Sequence, residues 1–160
     1  MMAAMDIRSR VEFTAGVEEV FTMMTDRTYL EEVSKATHAR SYEATVTGTT
    51  TQTIRRLPAP AAAAKFTGPE LTVAEKIDWG PADATGNRTG RVAMSVPGQP
   101  VTMQGTVVLS AGGPGTVAEL TGVLKVAIPI LGKKLEQAAA PAVLAGFRTQ
   151  QKVGDAWLVK

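Results

Sequence analysis

A chain of 160 residues, 44% apolar and 20% charged, is long enough for one hydrophobic core and has the composition of an ordinary globular domain. Seventeen Lys and Arg against fifteen Asp and Glu leave a net charge of +2, which excludes a strongly basic arm or an acidic tail. With no cysteine, disulfide frameworks, thiolate nucleophiles, iron–sulfur clusters and zinc-thiolate sites are excluded as well.

The first residues, Met1-Met2-Ala3-Ala4-Met5-Asp6, reach Asp6, Arg8 and Arg10 before any apolar run develops. A secretory leader needs about 7–15 uninterrupted apolar residues, so the expectation is a cytoplasmic chain. From Met5 to Phe13 the pattern alternates, with Ile7, Ser9, Val11 and Phe13 on one face and Arg8, Arg10 and Glu12 on the other. Period-two alternation predicts a half-buried strand. After Gly16 the period changes: Val17, Val20, Phe21 and Met24 fall at helical spacing. A second short helix is expected over Thr28–Lys35, capped by Asp26, with Tyr29, Leu30 and Val33 inward.

Ala39–Val46 and Thr49–Leu57 read as strands flanking a hairpin turn at Thr47-Gly48, and Pro58 ends the second. The stretch Pro58–Ala64 is a loop or a short loose helix. Leu71, Val73, Ile77 and Trp79 share the face of the next strand with Glu75 among them. Residues Val92 to Ala118 carry no charge, yet more than half are Gly, Pro, Ser, Thr or Gln, so they read as strands and turns rather than a membrane span. Val92, Met94 and Val96 share one face, Val101, Met103, Val107 and Leu109 the next, and Ala118, Leu120, Gly122, Leu124 and Val126 the last. Pro97–Pro100 and Gly112–Gly115 are turns. A C-terminal helix follows from Leu131 to Trp157, thin on its inner face because of Ala138, Ala139, Ala140, Ala142 and Ala145, with a kink expected at Pro141. Neither a repeat nor a second domain is visible, so residues 1–160 read as a single domain.

Strand, two short helices, about six antiparallel strands and one long helix resemble the START-like or SRPBCC superfamily, the helix-grip fold of the birch-pollen-allergen type. Val11-Glu12-Phe13 with Gly16–Phe21 resembles its first strand and helix. Trp79 ending a middle strand, Ile128–Glu136 and Trp157-Leu158 resemble its later landmarks. The chain resembles more closely a family of uncharacterised START-like proteins from actinobacteria. The resemblance implies an α+β domain in which a curved antiparallel sheet of about seven strands wraps around the long C-terminal helix, with a cavity between them. Lipid carriers, hormone receptors, polyketide cyclases and oxygenase subunits share that fold, so it does not select a function.

The alanine face of the last helix, set against Gly105 and Gly122 on facing strands, leaves either a close-packed core or an apolar pocket. In the second case Phe21, Met24, Tyr42, Met94, Met103, Leu135, Val143 and Phe147 are the candidate lining. Glu75 is the polar oddity: alternation puts it on the apolar face as a possible anchor or acid/base group, whereas a bulge or frayed register, the favoured reading, sends it to solvent. Arg40, Tyr42 and His38 share a predicted inward face and are candidates to fix a ligand's polar end. Their plainer readings are a surface arginine, a core aromatic and a loop histidine.

One histidine excludes a His-rich metal site, no Gly-x-Ser-x-Gly elbow or phosphate loop occurs, and basic residues come at most in pairs such as Arg55-Arg56. The sequence therefore implies no metal, no cofactor, no nucleic-acid partner and no integral membrane association. The leading expectation is binding or transport of a lipid-like or other hydrophobic small molecule without catalysis. A polyketide cyclase or aromatase-like enzyme using the same cavity is the alternative, and an interaction module without a small ligand is the third.

Overall fold

A computed structural model of the chain describes residues 4–159. Strand β1 (Met5–Phe13) is followed by helices α1 (Val17–Met24) and α2 (Arg27–Ala36). Strands β2 (Ser41–Thr47) and β3 (Thr50–Pro58), helix α3 (Ala61–Thr67), and strands β4 (Glu70–Trp79), β5 (Arg88–Ser95), β6 (Val101–Gly112) and β7 (Gly115–Val126) lead to helix α4 (Gly132–Leu158). The seven strands form one antiparallel sheet in the order β1-β7-β6-β5-β4-β3-β2. This is the α+β helix-grip architecture expected from the sequence, with two short helices after the first strand.

Local chemistry explains the element ends. The Asp26 carboxylate accepts from the Thr28 N–H at 2.8 Å and caps α2. Gly48 takes φ +61° at the first central position of the β2–β3 hairpin, where a β-carbon would be strained. The alanine run after Pro58 resolves into α3, in keeping with alanine's high helix propensity.

Gly105 and Gly122 have a different role from the one their size suggested. They pair across β6 and β7, and a β-carbon on Gly105 would lie 2.1 Å from the Thr121 carbonyl oxygen and 2.5 Å from the Gly122 Cα. The two glycines let the β6 and β7 backbones lie close together, and neither lines the cavity between sheet and α4.

Helix α4 spans 27 residues and remains helical through the exposed Pro141. It is fastened near both ends. At its start, the buried Glu136 carboxylate accepts from the Val126 N–H at 2.9 Å. Toward its end, Gln151 accepts from the Glu12 N–H at 2.7 Å, and Gly154 lies so close to the Phe13 ring that a β-carbon would sit 2.5 Å from it. Phe13, Val20, Met23, Tyr29, Val33 and Leu109 are among the most deeply buried side chains of the core.

Candidate functional site

Helix α4 packs against β1, β7, α2 and α3, while the middle of the sheet curves away from it. A cavity of about 560 Å³ remains between them, within the range of small-molecule pockets. Its floor is apolar: Val73, Ile77, Val92, Met94, Met103, Val107, Leu120 and Leu124 all come from the inward faces of strands. Leu135, Ala139, Ala142, Val143, Gly146 and Phe147 of α4 form the opposite wall, spaced so that consecutive turns of the helix present them together. Met24, Tyr29, Leu30 and Val33 close one side. Leu57, Ala63, Phe66 and Ile128 lie at the end of the sheet where β3, β5 and β7 terminate.

Of the side chains singled out from sequence, Met24, Glu75, Met94, Met103, Leu135, Val143 and Phe147 lie along this cavity. Phe21 does not. Its ring meets Trp79 edge-on at 5.7 Å between centroids and carries the Arg88 guanidinium at 3.9 Å, so it belongs to a packing site that ties α1 to β5. Tyr42 also falls outside. It sits on the inward face of β2, but β2 is the sheet edge and α2 covers it. Arg40 is exposed and, with Arg56, pairs with the Glu70 carboxylate instead of reaching the cavity. His38 is exposed at the cavity rim, in the left-handed region at φ +62°.

Glu75 corrects the favoured sequence reading. The register is unbroken on both sides of it, Thr53 pairing with Glu75 and Glu75 with Met94, so no bulge turns it outward. It is half-buried on the cavity floor, and among the described residues its carboxylate takes part in no hydrogen bond or ion pair.

The residue missed from sequence is Arg55. Counted from sequence only as half of a basic pair, it is 9% exposed and lines the cavity. The available signal was alternation, since Thr51, Thr53 and Arg55 occupy the buried positions of β3 while Gln52, Ile54 and Arg56 face out. Arg55 Nε donates to Ser34 Oγ at 2.7 Å, and Ser34 Oγ donates to the Leu30 carbonyl at 2.9 Å, so α2 holds the guanidinium in place. Nearby, the Tyr29 hydroxyl donates to the Gln150 carbonyl at 2.7 Å, and its ring meets Trp157 edge-on. Burial pushes the Tyr29 phenol well above its ordinary range, against an opposing pull from Arg55 and with small reinforcement from Asp155 and Glu75. Tyr29 is therefore a neutral donor committed to α4. The cavity is a mainly apolar chamber with Arg55 and Glu75 on one wall.

A family model described as "Protein of unknown function (DUF2505)" matches residues 8–158. No curated protein matches the chain by sequence. Among solved structures, TTHA0849 from Thermus thermophilus is similar at a TM-score of 0.66 and 21% identity, covering 95% of this chain and 98% of that one. A STAR-related lipid transfer protein from Xanthomonas axonopodis is similar at a TM-score of 0.63 and 15% identity, covering 96% and 85%. The di-domain ARO/CYC StfQ from the steffimycin biosynthetic pathway is similar at 0.61 and 14%, covering 96% of this chain and 50% of that one. These likenesses establish the START-like fold. Among the described residues, no helix is long and apolar enough to cross a membrane.

Proposed function

We propose that this chain, which belongs to the DUF2505 family, binds and carries a lipid-like or other hydrophobic small molecule in the chamber between sheet and α4, without transforming it. The observation that supports this reading is the chamber itself: about 560 Å³ lined by strand and helix side chains that are overwhelmingly apolar. Similarity in fold to a lipid transfer protein agrees with it. Moving about 300 Å² of apolar ligand surface out of water is worth about 7 kcal/mol before association costs are subtracted. Met24, Met94 and Met103 suit a ligand whose shape is not rigidly specified, because the thioether chain adapts at low cost.

The test is native mass spectrometry of protein purified from its own host, followed by solvent extraction, together with a thermal-shift series of fatty acids, sterols and flat aromatics. A co-purified apolar molecule, or a rise in melting temperature with one of these classes, is the expected result. Protein that arrives empty and responds to none of them would overturn the carrier reading.

A second reading, a cyclase or aromatase-like enzyme, draws on the Glu75 carboxylate facing the chamber. Tyr42 and Arg40, the candidates to fix a ligand's polar end, lie outside the chamber, so this reading places the acid/base work on Glu75. A carrier tolerates Glu75→Gln in binding assays with apolar probes. An acid/base enzyme retains binding in that variant and loses turnover.

A further inference from the structure

The chamber wall is mainly apolar, with Ser95, Gln99 and Thr149 among its neutral polar groups; apart from His38 at the rim, its acidic and basic side chains are Glu75 of β4 and Arg55 of β3, and these two do not pair with one another. The pairings Thr53–Glu75 and Arg55–Val73 make them diagonal neighbours on one face, with Cα atoms about 7–8 Å apart. Arg55 uses Nε on Ser34, which draws its head toward α2. Its terminal nitrogens donate to no protein group, Glu75 accepts from none, and no ion pair joins the two among the described residues. Arg88 shows the contrast: its guanidinium grips Glu18 through two nitrogens at 2.8 and 3.1 Å. Tyr29 cannot donate to Glu75, because its hydroxyl proton is spent on the Gln150 carbonyl.

Arg55 is nine-tenths buried and its unused terminal donors call for an acceptor, while a carboxylate on a mainly apolar floor calls for a donor. A bare carboxylate head would satisfy Arg55 while meeting Glu75 with like charge. A simple alcohol would satisfy Glu75 and leave Arg55 unanswered. A head that carries both functions answers both groups.

On the carrier reading, we propose that the ligand is an amphipathic hydroxy acid, with its carboxylate on the Arg55 terminal nitrogens, an adjacent hydroxyl donating to Glu75, and its apolar body along α4. Ser34 is a positioning residue that aims the guanidinium through Nε. The ligand class follows from the two unmatched charges, and its apolar tail from the chamber.

Binding of dodecanoic acid, 1-dodecanol and 3-hydroxydodecanoic acid to the delipidated full chain by calorimetry tests this. The hydroxy acid is expected to bind about tenfold tighter than dodecanoic acid, the scale of one hydrogen bond to a charged group. Glu75→Leu is expected to erase that advantage. Arg55→Met is expected to weaken both acids by about tenfold or more and leave the alcohol unchanged. Arg55→Lys keeps the charge and loses the fork, so it is expected to fall between. Circular dichroism of each free variant confirms that the fold is retained. Equal affinity for all three probes, or variants that shift all three alike, would overturn the hydroxy-acid inference and leave the carrier reading standing. Failure of every probe to bind would overturn the hydroxy-acid inference, and the sterol and flat-aromatic series would then decide the carrier reading.

Discussion

Helix α4 meets two different surroundings along its length. On the side of β1 and α1 it is packed closely: Gly154 is pressed onto Phe13, Gln151 reaches a β1 backbone amide, and Ala140 is buried. On the side of β4 and β5 the same helix presents Ala139, Ala142 and Ala145 to open space. Both faces use small residues, for opposite physical reasons. A missing side chain at Gly154 lets two elements touch, whereas short side chains at Ala139 and Ala142 face a sheet that has curved out of reach. Smallness of a residue therefore does not predict a void; the path of the opposing backbone does. The Gly105–Gly122 pair makes the same point within the sheet, where absent β-carbons bring strands together.

The contrast is sharpened first by the closely packed side. Phe13→Ala removes a fully buried ring that α4 covers, and a loss of about 3–5 kcal/mol is expected in denaturant unfolding. Gly154→Val forces β-carbon and methyls into that ring and is expected to cost about 1–3 kcal/mol. Glu136→Ala strips the Val126 N–H of its acceptor beneath the helix start, with a similar loss of about 1–3 kcal/mol, while Glu136→Gln keeps an acceptor and is expected to recover much of it.

Tyr29 stands on the border between the two surroundings. Tyr29→Phe deletes the hydrogen bond to the Gln150 carbonyl at a cost of about 0.5–1.5 kcal/mol. Its pH signature has a definite sign. The folded phenol ionises above the ordinary value of 10.0, so the unfolded chain gives up its proton first. This contribution to stability is whole below pH 10 and is lost as pH rises from there toward the folded-state value. Stability measured against pH should decline less steeply above pH 10 in Tyr29→Phe than in the parent. The smallest expected effect is on the open side. Ala142→Leu should change stability by no more than about 0.5 kcal/mol, yet fill part of the chamber and weaken long-chain ligands by titration. A large destabilisation there would break the contrast.

Most of the architecture was legible because each element has one dominant period. β1 has the expected limits, and the Asp26 cap and the strand faces follow from alternation and end chemistry. The site was legible only in part. Alternation states which face of a strand is inward, which finds Met94, Met103 and Glu75, but it does not state what lies over that face. At Tyr42 the cover is α2, and at Met94 it is empty volume. Phe21 fits the helical stripe of Val20 and Met24, yet packs sideways against Trp79. Arg55 was hidden by its own chemistry, since a charged residue beside another suggests solvent until a partner such as Ser34 is seen across the fold.

The sheet order has a consequence for how the polypeptide acquires its shape. β1 pairs only with β7, and the Ala15 carbonyl after it is met by Thr116 across 101 positions. During synthesis β1 leaves the ribosome with an apolar face ready and no mate until β7, about a hundred residues later, has been made. Strands β2 to β7 zip to sequence neighbours in the meantime, and β1 waits. A nascent chain halted before Gly115 would display Ile7, Val11 and Phe13 to whatever chaperone is at hand, and completion of the last hairpin would withdraw them.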